Sequence, residues 1–313
     1  MSQTERVLRT GPPAFADPAV LIRQPTLSSA PGPLPAVRGA VPDTVLDGGE
    51  IGRFAVRAAS VRGDGHRFVG RTRQDAMAFG PADACGTPVL VACVADGLSS
   101  RPLSHLGAGL ASRLLREAIG SELAALIGDA PGTGPAAGAV SARVADALRE
   151  RARADGAEPG AYATMLTAAV LAPDADGARV VLMRVGDGAA LILGPDGWRP
   201  CFPEPDTTPA GEAASGEAAA GANPAGEASA PPVRELPRDT APETIVVRAE
   251  AGEMLLLCTG GLAEPMRQPE VRDALGRWWN ERGVPELAAF LWQVSFRAKA
   301  FSDDRTALCV WVR

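Results

Sequence analysis

The chain is almost without lysine: Lys299 is the single one among 31 basic residues, the rest being arginine. Histidine is nearly as scarce, with only His66 and His105. Two histidines, in no HExxH-type spacing, exclude a histidine-built zinc site. The five cysteines (Cys85, Cys93, Cys201, Cys258, Cys309) form neither a CxxC nor a Cys/His ligand spacing. Cys93, Cys258 and Cys309 fall inside apolar runs, so buried thiols in a reducing compartment are expected. No run of about 18 uninterrupted apolar residues occurs, and the first residues lack the apolar core of a signal peptide. A cytoplasmic location without membrane contact is therefore expected. Nor is there a basic excess: 31 basic against 37 acidic residues give a net charge of -6. That leaves no field to hold a phosphate backbone or an anionic surface, so nucleic acid is not an expected partner. The arginine bias, with much Ala, Gly and Pro, reads as codon usage.

What is present is apolar bulk, 46% of 313 residues, enough for a substantial core. Residues 1–48 are rich in Pro, Ala and Ser and read as an extended arm, with the folded domain expected over 49–313. Strands are expected at 53–60, 88–95, 164–171, 179–185, 189–193, 244–248, 253–258 and 306–312. Helices are expected at 104–127, 136–154, 270–282 and 284–299, from apolar residues at three- and four-residue spacing. Two helices follow the second strand, several strands then meander, and two more helices precede the last strand. This order is not βαβ alternation. It predicts an α+β fold, a four-layer α-β-β-α sandwich of two antiparallel sheets flanked by helix pairs. Residues 204–239, Ala/Gly/Glu/Pro-rich with no large apolar residue before Val233, predict a mobile low-complexity insertion. Trp278, Trp279, Trp292, Phe290, Phe296 and Phe301 cluster in the last helix pair and its exit, where helical spacing predicts core packing.

Asp96 in "VLVACVADG" and Asp187 in "VVLMRVGDG" end apolar runs and are followed by glycine. Alone, either reads as a turn or cap aspartate. Together with Asp75, Asp303 and Asp304, also at strand ends or flanks, they form a set. Carboxylates that converge repel one another unless cations sit between them, and hard cations such as magnesium or manganese suit such a donor set. Two such ions can activate water for attack on a phosphoryl group.

In order, "SVRGDGHRFVGRTRQDA", "VACVADGLSSRPLSHLGAGLAS", "YATMLTAAVLA", "VLMRVGDGAALIL", "LLLCTGGLAEPM" and "SDDRTALCVWV" resemble the successive motifs of the metal-dependent protein phosphatase 2C (PPM) family, in its bacterial subgroup. The resemblance covers about residues 51–313. It implies hydrolysis of phosphoserine and phosphothreonine in a protein substrate by a water activated between two Mn2+ or Mg2+ ions, with a third, weaker site. Asp96 would bridge both metals, the Gly97 carbonyl would bind one, and Asp303 would bind with the final "DDRT" motif. Gln74 stands where relatives often carry a glutamate that reaches the second metal, with Asp75 beside it. Asp187 and Glu264 match acids of the third site. Arg71 or Arg73 would meet the substrate phosphate; spacing does not say which. A cognate serine/threonine kinase is the implied partner.

One position departs from the pattern. Relatives usually read "TDG" where this chain has Thr259, Gly260 and Gly261, so one metal-binding aspartate is missing. Glu264 is expected to reach partway into the gap. Either Asp96, Asp303 and water still hold two cations with weakened affinity, or the chain is an inactive phosphatase-like regulator that binds a phosphoprotein or kinase. His66 and His105 read as structural, with Ser104 as a possible helix cap beside His105.

Overall fold

The computed structural model describes residues 18–28, 30, 32–35, 41–84, 86–128, 131–203, 233–280 and 283–313. In chain order its strands are β1 (Val20–Ile22), β2 (Thr44–Ile51), β3 (Phe54–Val61), β4 (Ala76–Ala84), β5 (Thr87–Gly97), β6 (Thr164–Asp174), β7 (Gly177–Val185), β8 (Ala189–Gly194), β9 (Gly197–Pro200), β10 (Glu243–Glu250), β11 (Met254–Cys258), β12 (Arg297–Ala298) and β13 (Arg305–Val312). The helices are α1 (Asp64–Phe68), α2 (Ser104–Ile127), α3 (Thr133–Ala154), α4 (Gly260–Ala263), α5 (Pro269–Asn280) and α6 (Leu287–Val294). Five strands form one sheet in the order β10-β7-β6-β5-β4, and six form another in the order β2-β3-β13-β11-β8-β9. Every neighbouring pair in both is antiparallel.

Strand β5 shows why the runs are apolar on both faces. Val89, Val91, Cys93 and Ala95 pack toward α2 and α3, while Leu90, Ala92 and Val94 face the other sheet. Strand β11 alternates likewise: Leu255 and Leu257 enter the layer between the sheets, and Met254, Leu256 and Cys258 pack with α5 and α6. An antiparallel sheet commonly leaves one face to water and then alternates in polarity; here helices cover both outer faces, and alternation vanishes. Each buried aliphatic side chain contributes about 1.5–3 kcal/mol. The expected four-layer sandwich is the observed one.

The departures lie at sheet edges and at the start of the chain. β2 begins at Thr44, inside the segment expected as an arm, and pairs along β3 from Thr44↔Val61 to Ile51↔Phe54. Its sequence, TVLDGGEI, carries two glycines and two acids and leaves the strand only half buried, so no apolar run announces it. β1 lies further inside that segment and pairs in parallel with β12, and Ala19 is buried with the α5 and α6 core. β4 went unread because it is an edge strand containing Pro81, which lacks the amide a central strand would need. The helix expected over 284–299 spans only Leu287–Val294, because Arg297 and Ala298 leave it to pair with β1. Of the insertion expected at 204–239, residues 204–232 lie outside the described residues. Its end is anchored: Leu236 is fully buried and exchanges backbone hydrogen bonds of 2.9 and 3.0 Å with Thr164. Cys85 also lies outside the described residues; the other four cysteines are free and buried. Among the described residues, no helix is long and apolar enough to cross a membrane.

Candidate metal centre

Three strand ends and two strand entries converge at one end of the sandwich. β5 delivers Asp96 and Gly97, the β7–β8 turn Asp187, β11 the Thr259–Gly260 step, and the approach to β13 Asp303 and Asp304; Gln74 and Asp75 lead into β4. The close fit explains two glycines. A Cβ on Gly97 would stand 2.8 Å from the Ser104 backbone and 2.9 Å from the Gln74 carbonyl oxygen, and one on Gly261 would overlap the Asp304 carbonyl oxygen. Gly260 differs. A Cβ there would meet only Asp187 Oδ2 and Asp96 Oδ2, each at 3.6 Å, and Asp187 Oδ1 at 3.8 Å. The place of the missing carboxylate therefore accommodates a Cβ without a clash, beside two acids.

The acids are crowded enough to resist ionising together. Burial, then the charges of Asp75, Asp303, Asp187 and Asp304, hold the Asp96 carboxyl well above its ordinary range. Burial and Asp304 raise Asp75 to about 7, against the opposing effect of hydroxyl hydrogen bonds from Thr306 and Thr259. Burial also raises Asp303 and Asp187. Asp303 keeps its side chain 59% exposed at the mouth of the site. Cations among such acids would relieve this crowding. Gln74 Oε1 supplies a second sign: it is buried with no hydrogen-bond partner among the described residues. A neutral oxygen without a donor, beside a carboxylate cluster, fits a hard cation.

The neighbours of these acids are held by groups that motif spacing did not single out. Thr259 and Thr306 each donate a hydroxyl to Asp75 Oδ2 at 2.7 Å. Asp304 accepts the Gly63 amide at 2.8 Å and the Gln74 amide at 2.5 Å, and His66 Nδ1 stands 2.9 Å from its Oδ1. Asp304 thereby ties the loops before α1 and β4 to the entry of β13. His66 Nε2 is 3.9 Å from Asp303 Oδ1, so both imidazole nitrogens face acids. Burial, the largest influence, would lower the His66 pKa, but Asp304, Asp303 and Asp75 raise it overall. Motif reading could have found the threonines, since both stand inside the quoted strings; only the folded pairing shows that they share one oxygen.

Other expected residues separate. Arg73 is buried, donating to the Pro42 carbonyl at 3.1 Å, the Ser60 hydroxyl at 2.7 Å and the Asp75 carbonyl, so its guanidinium is used up in scaffolding. Arg71 is exposed and reaches the Ser99 carbonyl at 3.2 Å, just beyond the Asp96–Gly97 turn. Glu264 is exposed, and among the described residues its side chain makes no hydrogen bond or ion pair; its backbone alone is engaged, the amide donating to the Gly260 carbonyl at 2.9 Å and the carbonyl accepting from the Arg267 amide at 3.1 Å. Its turn carries the carboxylate into solvent instead of into the gap. Ser104 does not cap α2: its hydroxyl donates to the Arg101 carbonyl at 3.2 Å, and Leu103 occupies the cap position. His105 is buried, and burial depresses its pKa.

Solved structures with a similar fold include the serine/threonine phosphatase of S. agalactiae, at 14% identity and TM-score 0.52, covering 83% of this chain and 100% of that one. A bacterial serine phosphatase, also at 14% identity, has a TM-score of 0.54 over 82% of this chain and 97% of its own. PppA, described as a key regulatory component of the T6SS in Pseudomonas aeruginosa, matches at 17% identity and TM-score 0.51, over 84% of this chain and 99% of that one. None of the curated proteins matches in sequence. At such identities these structures speak to the fold. The family model described as Protein phosphatase 2C matches residues 62–292, well over half of the chain and the whole stretch from the loop before α1 to α6, and the chain belongs to that family.

Proposed function

We propose that the chain is a metal-dependent protein serine/threonine phosphatase, removing phosphate from phosphoserine or phosphothreonine in a protein and opposing a kinase. The observation that carries this reading is the convergence of Asp96, Asp187 and Asp303, raised together in pKa, with the buried, unpartnered Gln74 Oε1 on the neighbouring entry to β4. Asp96 and Asp303, the Gly97 carbonyl and Gln74 are the groups to hold two Mn2+ or Mg2+ ions, with Asp187 toward a third. Bound there, such ions would neutralise charge on the phosphoryl oxygens and activate water for in-line attack.

The chain's own groups do the positioning. The two threonine hydroxyls fix Asp75 beside the acids, Asp304 fixes the backbone of Gln74, and the absence of a Cβ on Gly97 lets the β5 end approach α2. Arg71, exposed and tethered by Ser99, is the arginine available to a substrate phosphate. The four buried, free thiols suit action in a reducing compartment.

A second reading rests on Gly260, whose open position leaves one carboxylate fewer at the centre. On that reading the fold binds a phosphoprotein or kinase without turnover. Hydrolysis of a phosphothreonine peptide across a manganese titration decides between them. Turnover in the wild type, lost in Asp96→Asn, is expected; because the removed acid acts as part of a cluster, the loss should be at least about 100-fold. A silent wild type with activity gained in Gly260→Asp would favour the binding protein, and unchanged turnover in Asp96→Asn would falsify the site.

A further inference from the structure

Strand β13 opens with a residue that breaks its own pattern. Ala307, Cys309 and Trp311 pack into the core beneath α5 and α6, and the next position along that face is Arg305. Its guanidinium is buried, 6% exposed, with its carbon 3.9 Å over the Phe296 ring. Nε donates to the Gly261 carbonyl at 3.2 Å, and Nη1 donates to the carbonyls of Val294, at 3.2 Å, and Phe296. All of these partners are neutral. Among the described residues no carboxylate comes within ion-pair distance of Arg305, and Nη2 has no acceptor. A buried, unpaired charge costs several kcal/mol, and a counter-ion recovers it.

Arg305 lines a cavity of about 560 Å3 between α1, the end of α6 and the entry of β13. Four arginines and three aspartates face it. Arg62, Asp43, Arg67, Asp64 and Arg297 form a chain of ion pairs of 2.8, 2.7, 3.3 and 2.8 Å, in which each acid is shared by two arginines. The third acid, Asp303, belongs to the metal centre. The wall therefore has three guanidiniums on two carboxylates, with Arg305 added. Leu291, Phe296 and Phe301 supply apolar surface, and Ser295 sits between the two residues whose carbonyls Arg305 binds.

We propose that this cavity binds a small organic anion, a carboxylate or phosphate on an apolar body, with its charged group on Arg305 and its body against Leu291 and Phe301. The site shares Asp303 alone with the acid cluster and does not depend on turnover. A guanidinium with a free edge suits either oxyanion, so the two sources are distinguished by experiment.

The test is calorimetric titration of the full chain, stripped of metal with EDTA, with benzoate and with phenyl phosphate. Without cations the acid cluster holds no metal to attract an anion, so a binding signal reports the Arg305 wall. Saturable binding of one probe is expected, unchanged in Asp96→Asn and weakened at least about tenfold in Arg305→Leu. Leu continues the apolar face, and such replacements of buried charges are commonly neutral or stabilising, so the variant should fold. Ser295→Asp provides an independent check: an internal carboxylate beside Arg305 should abolish binding while leaving Arg305 in place. Absence of saturation by either probe at about 10 mM, binding indifferent to both cavity variants, or binding lost in Asp96→Asn would overturn the proposal.

Discussion

Gly260 and Gly261 are adjacent, yet their surroundings make opposite demands. A side chain on Gly261 would overlap the Asp304 carbonyl oxygen, whereas a Cβ on Gly260 would sit in ordinary contact with the Asp96 and Asp187 carboxylates. Gly261→Ala should therefore cost stability, on the order of 1–3 kcal/mol as in overpacked cores, while Gly260→Ala is close to neutral. Gly260→Asp should change sign with conditions. Without metal, a further carboxylate beside two acids that burial already raises lowers the melting temperature; with saturating manganese it raises it. Thermal melts in EDTA and in manganese read both signs, at about 2–4 °C per kcal/mol for a chain of this size. A destabilisation that persists in manganese would mean that the gap does not face a cation. At this scale the sequence was informative about acids and mute about direction. Asp96, Asp187 and Asp303 could be read because strand ends punctuate apolar runs. Arg71 and Arg73, two residues apart, could not be told apart, since spacing does not say which side chain the Ser60, Pro42 and Asp75 oxygens would consume.

Elements were legible in proportion to how many of their faces are buried. β5, β6, β11 and β13 pack against a helix layer on one face and the opposite sheet on the other, so their sequences are uninterrupted apolar runs. β2 and β4 close the edges of their sheets and carry Gly, Asp and Pro, which dilute any period-two signal. The pairing of β1 with β12 joins the two ends of the chain across more than 270 residues, which no local window can reveal. The same logic predicts mutational costs. Leu255→Ala and Leu256→Ala, on opposite faces of β11, should each lose about 2–5 kcal/mol, because both faces are core. Val246→Ala on β10, where the side chain is 37% exposed, should lose under about 1 kcal/mol. Denaturant unfolding of the three variants measures this, and a cheap substitution at either leucine would contradict the four-layer burial.

For the molecule as a whole, the acid end opposes folding unless protons or cations occupy it. Asp75, raised to about 7, and Asp96, raised well above its ordinary range, keep protons in the folded state that an unfolded aspartate gives up near its ordinary value of about 3.9. Between those values the folded chain binds more protons than the unfolded one, so stability falls as pH rises. His66, raised by Asp304, acts in the same direction: its favourable interaction is lost as pH rises through its folded pKa. His105, lowered by burial, opposes this only when pH falls below its ordinary value of 6.5. The metal-stripped protein should consequently lose stability between about pH 4 and 7, and Asp75→Asn should flatten the slope. Manganese should restore stability most at the alkaline end, where the carboxylates are free to receive it and ligand binding to the folded state adds its full mass-action effect. Melting curves across that range, with EDTA and with manganese, test the linkage directly. A metal-free melting temperature that climbs with pH would show that these carboxylates ionise without penalty, and that the crowding at the strand ends is not what calls for cations.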